Sequence, residues 1–345
     1  MPSRLKVAVV GLGNHAKWCH CDPMREMKEE FEIAWVWDVV PEKVKEFARE
    51  YGAKGAEKYS QILDDASVEM VSVVTPPVTH EGLAVNALEA GKHVLVEKPL
   101  APTVAACDRI IETARRKKRL LTVFHQRRWY ANQRIVEQVV REGKLGKIVL
   151  VRLSLPLDGQ ERRPLGAGEA QSLGVSAKFE ERFAVFVGFD MLVHHVDQLL
   201  RLVGEQPKRL QARASYRNGE DLPWDWEIHL DYPSGVLGTV EMIHSPLPHP
   251  KWVISGTDGS LVMDFANDWG PTKVRYREAG GWAEKEIPQT YELGESFKIV
   301  YRKMRDAIRT NGPVPVEPKD ARDAVMILWK ALESSRTGSP QELDI

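Results

Sequence analysis

Short apolar runs and helical stretches alternate through the first third of the chain. Leu5–Val10, Ile33–Trp37, Met70–Val74, His93–Val96 and Leu120–Phe124 each read as a buried strand. Between these runs, apolar positions recur at steps of three and four. Leu83, Ala84, Ala87 and Leu88 make one such face, which Gly91 ends, and Cys107, Ile110, Ile111 and Ala114 make another after Thr103. Nearly continuous apolar strands alternating with helices predict a parallel sheet covered on both faces.

The period then changes. Leu210, Ala212, Ala214 and Tyr216 alternate with Gln211, Arg213, Ser215 and Arg217, and Trp226, Ile228, Leu230 and Tyr232 alternate with Glu227, His229 and Asp231. Period two with polar partners predicts antiparallel strands with one face more exposed. Pro233-Ser234-Gly235 and Asp258-Gly259 mark turns. Two helices should close the chain, one through Phe297, Val300, Tyr301, Met304 and Ile308, the other across Ala324–Leu332. The change of period puts a domain boundary near residues 125–130, so the expected domains are 1–125 and 126–345. The stretch 156–176, rich in Gly, Pro and charge, takes no element and reads as a lid or a surface loop.

Composition narrows the class. The net charge of -1 over 345 residues gives no pull toward nucleic acid or an anionic membrane. The dense basic run Arg115–Arg119 falls where a helix should end, and cations there complement the helix dipole. Cys19, Cys21 and Cys107 make no disulfide framework. No secretory leader precedes the first strand and no apolar run reaches membrane-spanning length, so a cytoplasmic protein is expected.

The first strand runs directly into Gly11-Leu12-Gly13-Asn14-His15-Ala16, a dinucleotide fingerprint with alanine at the third glycine. The first glycine permits the tight turn, the second lets backbone approach a pyrophosphate, and the helix N-terminus attracts the anion. Asp38 ends the second strand 22 positions after Ala16, where the ribose-binding acid belongs. A carboxylate there repels a 2′-phosphate, and Val39, Val40 and Pro41 follow without an arginine. NAD is therefore favoured over NADP, with Lys43 the nearest cation. Cys19-His20-Cys21 is spaced too tightly for a structural zinc site and reads as helix packing.

Other ionisable groups ask for a role. Thr79 should cap the helix after Thr75-Pro76-Pro77, with His80 either a plain first-turn residue or a group facing a ligand. His93–Val96 ends in Glu97-Lys98-Pro99, so Lys98 is either a solvated strand end or aimed at a ligand. Asp190, His194 and Asp197 share one helical face among aliphatic residues. They read as satisfied interface groups, as metal ligands or, best, as acid–base groups. Arg128 can bind an acid or a phosphate, or pair with a carboxylate. Trp129, Trp224 and Trp226 can stack on a sugar ring, although the last two lie in an expected strand.

Together these pieces resemble the Gfo/Idh/MocA oxidoreductases, the glucose–fructose oxidoreductase and inositol dehydrogenase group. The resemblance rests on VAVVGLGNHA at 7–16, VWD at 36–38, VTPPVTHEGLAVNALEAGKHVLVEKPLA at 74–101 and FHQRRW at 124–129. It continues through EGKLGKI at 142–148, the Asp190/His194/Asp197 helix, SGTDGSLVMDF at 255–265 and SSRTGSP at 334–340. It implies an α/β protein: an N-terminal Rossmann dinucleotide-binding domain, then an α+β domain with a large open, mostly antiparallel sheet. That sheet would carry a homo-dimer or homo-tetramer interface. A cis Lys98–Pro99 peptide is expected, with Lys98, Asp190 and His194 around the substrate carbon as the catalytic set. The implied cofactor-binding set is Gly11, Gly13, Asn14, His15, Ala16, Asp38, Thr75, Pro76, His80, Glu97, Lys98 and Gln126, with no metal. Two departures are visible: Leu192 where the family often has glycine, and Phe183–Val187 where it often has a glycine-rich run.

The expected activity is hydride transfer between NAD(P) and a secondary alcohol of a sugar, cyclitol or related polyhydroxy compound. His194 would take the hydroxyl proton, Lys98 would stabilise the alkoxide, and Asp190 would orient the imidazole or hold a neighbouring hydroxyl. Two alternatives share the fold: a glycosidase with a transient redox step on tightly held NAD, and a non-catalytic dinucleotide-binding sugar sensor.

Overall fold

Six parallel strands form the first sheet, in the order β3-β2-β1-β4-β5-β6. They are β1 (Leu5–Val10), β2 (Phe31–Trp37), β3 (Lys54–Gly55), β4 (Met70–Val73), β5 (His93–Val96) and β6 (Leu121–Val123). The computed structural model describes residues 3–157, 178–185, 187–216, 221–244, 250–263, 272–278, 280–287 and 293–345. Most of the expected loop at 156–176, Phe186 and the last two residues of the 255–265 motif lie outside the described residues.

The chain divides into two units. One comprises Met1–Gln126, Leu173–Ala184 and Leu293–Arg322; the other comprises Arg127–Ser172, Val185–Glu292 and Asp323–Ile345.

In the first unit, Val7–Val10, Met70, Val71, Val73 and Val94–Val96 are all fully buried, as helices on both faces of a parallel sheet require. Strand order reverses between β1 and β4. Ligands of such sheets bind outside the carboxyl ends at that reversal. The edge there carries Gly11 after β1, Thr75 after β4 and Glu97-Lys98 after β5. The basic run closes the Val104–Lys117 helix as expected: Lys118 takes the left-handed conformation, and Arg116 and Lys117 pair with Glu89.

The helix after the glycine loop is irregular. Ala16–Cys21 forms a π-helical turn, closed by the Asp22 N–H donating to the Lys17 carbonyl. The reason is one residue further on. An α-helical register would press the Pro23 ring against the carbonyl of Cys19, and the wider turn relieves that clash. Cys19, His20 and Cys21 are consecutive and all buried.

The second unit holds a nine-stranded sheet in the order β14-β13-β12-β11-β7-β10-β9-β8-β15. Its strands are β7 (Ile148–Leu157), β8 (Arg209–Ser215), β9 (Asp225–Asp231), β10 (Leu237–His244), β11 (Trp252–Gly256), β12 (Ser260–Met263), β13 (Thr272–Glu278), β14 (Gly281–Ile287) and β15 (Gln341–Glu342). β7 and β10 pair parallel, and the other pairings are antiparallel. The alternation holds at 226–232, where Trp226, Ile228, Leu230 and Tyr232 are buried; at 210–216 it holds at Leu210 and Ala212, weakens at half-buried Ala214 and ends at Tyr216, which is exposed. The Val187–Val203 helix packs on β10 and β7. Two motif segments distant in sequence also meet here. Lys147 N–H donates to Thr257 Oγ1 at 3.1 Å, and Asp258 N–H donates to the Leu145 carbonyl at 3.1 Å.

Candidate active site

The glycine loop of the first unit has the build of a phosphate cradle. Gly11 has φ +90°, and a Cβ there would lie 2.7 Å from the Val74 carbonyl and from Thr75 Cγ2. Only glycine fits. Gly13 differs: a Cβ would meet nothing within 4 Å, so the bare backbone borders open space beside a helix start. Gly13 and Asn14 are exposed, while Ala16 is buried under the helix. Asp38 is tied to the same loop, its Oδ2 accepting from Leu12 N–H at 2.7 Å and its Oδ1 from Val40 N–H at 2.9 Å. A dinucleotide fits these residues: an open glycine, free space at a helix N-terminus and a carboxylate at the end of β2.

Glu97 answers for the polar end of β5. It is buried, and its Oε2 accepts from Lys98 N–H at 3.0 Å. Its Oε1 faces His20 Nε2 at 2.8 Å and His15 Nε2 at 3.2 Å. His20 Nδ1 lies 2.7 Å from the Tyr301 hydroxyl, which lies 3.1 Å from Ser72 Oγ. Burial pushes His20 down and Tyr301 up, so both are neutral. The protons then have one consistent order. Ser72 donates to Tyr301, Tyr301 to His20 Nδ1, and His20 Nε2–H to Glu97. Burial alone would raise Glu97, but the His15 charge and the histidine hydrogen bonds hold it well below the carboxylate range. The Glu97 charge in turn raises His15, against a smaller lowering by burial. Lys98 is half-buried, and the Lys98–Pro99 peptide is cis.

His80 is fully buried, with Nδ1 2.9 Å from the Pro99 carbonyl and Nε2 2.8 Å from the Thr75 carbonyl. It joins the loops after β4 and β5. Burial lowers its pKa although both carbonyls favour the protonated ring. The expected Thr79 cap is not made. The Thr79 hydroxyl instead donates to the Pro76 carbonyl at 2.8 Å and lies 2.7 Å from Thr75 Oγ1, closing the turn that the prolines begin. Pro76 is exposed at that turn. Gln126 follows β6, buried, and its amide oxygen has no hydrogen-bond partner among the described residues.

In the second unit, the Val187–Val203 helix carries Asp190 half-buried and His194 buried. Asp197, on the same face, forms a buried bidentate pair with Arg128: Nε to Oδ2 at 2.9 Å and Nη2 to Oδ1 at 2.5 Å. The carboxylate-pairing alternative for Arg128 is thus realised. His195 turns away, its Nδ1–H donating to the Met191 carbonyl at 2.9 Å. Leu192 is fully buried, so that departure serves packing, as do Phe183 and Ala184 in the first unit. Trp226 is core, whereas Trp224 and Trp129 are half-buried. One group drew no notice in the sequence: His244, whose Nδ1 lies 3.0 Å from Asp225 Oδ1 while its buried Nε2 meets no partner among the described residues. The two are adjacent only across the β9–β10 ladder, so no local pattern announces them.

Comparison with known proteins agrees with this geometry. The family model described as "Oxidoreductase family, NAD-binding Rossmann fold" matches residues 5–125, and that of the GFO/IDH/MocA C-terminal domain matches 134–262. The chain belongs to the GFO/IDH/MocA oxidoreductase family. Its similarity to curated members runs end to end. The NADP-dependent scyllo-inositol 2-dehydrogenase of Bacillus subtilis is 26% identical, with 96% of this chain and 94% of that protein covered. The NAD-dependent scyllo-inositol 2-dehydrogenase of the same organism is 24% identical, with 100% and 98% covered. The aldose-aldose oxidoreductase from Caulobacter crescentus superposes with a TM-score of 0.82 at 23% identity, over 99% of this chain and all of that one. As a GFO/IDH/MocA member the chain has a nucleotide-binding Rossmann sheet and is an oxidoreductase. Similarity to NAD and NADP enzymes at nearly equal identity leaves the choice of cofactor to local residues. No helix among the described residues is long and apolar enough to cross a membrane.

Proposed function

We propose that this oxidoreductase moves hydride between a nicotinamide dinucleotide and a secondary alcohol of a sugar, cyclitol or related polyhydroxy compound. The observation that carries the reading is the open space over Gly13, in a loop that Asp38 ties to the end of β2. When bound there, the dinucleotide supplies the hydride acceptor. Gly11, Gly13, Asn14, His15 and Ala16 would hold its diphosphate, and Asp38 its adenosine ribose. Thr75, Pro76, Glu97, Lys98 and Gln126 line the edge beyond β4, β5 and β6, where the Gln126 oxygen, without a partner among the described residues, can accept from a cofactor donor. His80 acts through the loops that it joins.

His194 takes the alcohol proton in this reading, because a neutral imidazole suits proton transfer near pH 7. Lys98 hydrogen-bonds the same oxygen and stabilises charge developing on it. Asp190, one turn before His194, orients the imidazole or a neighbouring hydroxyl. NAD is the preferred cofactor: Asp38 would face a 2′-phosphate, and Val39 beside it is exposed and uncharged. Val149, Leu237 and Trp282 are exposed apolar side chains on strands of the nine-stranded sheet, and that sheet is our choice for contact with a second copy.

The test is absorbance at the reduced-nicotinamide band. NAD and NADP are offered separately with cyclitols, aldoses, deoxy sugars and sugar acids. Lys98→Met should lower turnover by about a thousandfold, the size of a lost charge-stabilising donor, with NADH affinity nearly unchanged. Loss of NADH binding together with turnover would count against the assignment.

A further inference from the structure

The cluster at the end of β5 holds a charge whose location can be deduced. Glu97 accepts three donors and is an anion. Full burial disfavours a charge on His20. His15 remains. Its side chain is 50% exposed, with Nε2 on Glu97 at 3.2 Å and Nδ1 3.8 Å from Cys19 Sγ. It stands two positions after Gly13, in the first turn of the helix that the glycine loop opens. The titratable groups facing it are Glu97 from the end of β5 and Cys19 and His20 from its own helix, with Tyr301 behind His20.

We propose that His15 is a fixed cation of the glycine loop, kept charged by Glu97, and that it binds the anionic diphosphate of the dinucleotide alongside the loop amides. The inference rests on the dinucleotide reading above and deepens it. Backbone amides and a helix N-terminus give partial charges only. An imidazolium adds a full charge close to the loop amides. Glu97 is then a positioning residue. Without it, His15 becomes an ordinary histidine and gives up its proton near pH 6.5. The glycine fingerprint itself does not supply this charge.

Equilibrium binding of NADH to the full chain, read by cofactor fluorescence from pH 6 to 9, tests it. Wild type should bind with nearly constant affinity, because the Glu97-held imidazole stays charged across that range. His15→Gln should weaken binding about tenfold at every pH, the size of one close charge. His15→Lys should restore most of that loss. Glu97→Gln should convert the flat profile into one that weakens as pH rises through 6 to 8. Binding by His15→Gln within twofold of wild type, or a flat profile in Glu97→Gln, would overturn the proposal. If Glu97→Gln does not fold, the NMR titration of the wild-type His15 ring replaces it, assigned by loss of its signal in His15→Gln. A ring that titrates between pH 5.5 and 8 overturns the fixed charge. A wild type that binds no NADH sinks the dinucleotide reading itself, and the ring titration still reports the charge separately.

Discussion

Two buried carboxylates, Glu97 in the first unit and Asp197 in the second, meet the same difficulty with different partners. Asp197 is held by a guanidinium, bidentate and buried. Arginine stays charged at any pH a protein survives, so the cation of this pair depends on no proton. Glu97 is held by two histidines, one charged and one neutral, with a tyrosine and a serine behind. Every one of those hydrogen bonds depends on where a proton sits. The arginine anchor holds the Val187–Val203 helix through a cation that needs no proton. The histidine anchor suits a site that must present charge on one side and stay neutral on the other.

The comparison can be broken most forcefully from the arginine side. Arg128→Met should cost about 3–5 kcal/mol, because it takes a bidentate cation from a buried carboxylate. Denaturant unfolding reads this, and Arg128→Met/Asp197→Leu should recover much of the loss. Proton sensitivity belongs to the other side. At the start of β5, burial pushes His93 down to about 4, and its Nδ1 accepts from Leu120 N–H at 3.0 Å. The unfolded chain binds that proton near pH 6.5 and the folded chain does not, so stability is present above pH 6.5 and lost as pH falls toward 4. The loss should reach about 2–3 kcal/mol and disappear in His93→Asn, as unfolding curves at pH 7 and 4.5 would reveal. The smallest effect is expected for Tyr301→Phe, which strands His20 Nδ1. It should cost about 1–2 kcal/mol in the same assay. No change would mean that the donor order through His20 is wrong.

What the residue pattern revealed follows from range. Apolar runs gave β1, β4, β5 and β6, which are buried on both faces, and β2, whose half-buried positions Ala34, Trp35 and Trp37 are apolar as well. The alternation at 210–216 and 226–232 gave β8 and β9 for the complementary reason. The glycine loop was legible because strand, turn and helix start are consecutive. His20 is buried beside Cys19 and Cys21, but its hydrogen-bond partners lay beyond local range: Tyr301 lies 281 positions away and Glu97 lies 77 away. Asp197 shared a face with Asp190 and His194, which suggested common chemistry, until Arg128 supplied a structural reason for it. Thr79 had the right residue type for a cap, yet the proline turn claimed its hydroxyl first.

The π-helical turn at Ala16–Cys21 has a consequence for homology as well as for geometry. A π turn accommodates one residue more than the α-helical turn it replaces. Family members without a proline at the position of Pro23 have no such reason to widen the helix, and a true alignment to them would carry a one-residue gap between the glycine loop and the buried histidine. Residues would then correspond by the direction they face rather than by distance from Gly13. Deleting one residue from this turn together with Pro23→Ala is the matching experiment in the laboratory: a shorter helix that still delivers a ring to Glu97 would show that evolution can add and remove such a residue without disturbing the strand on either side.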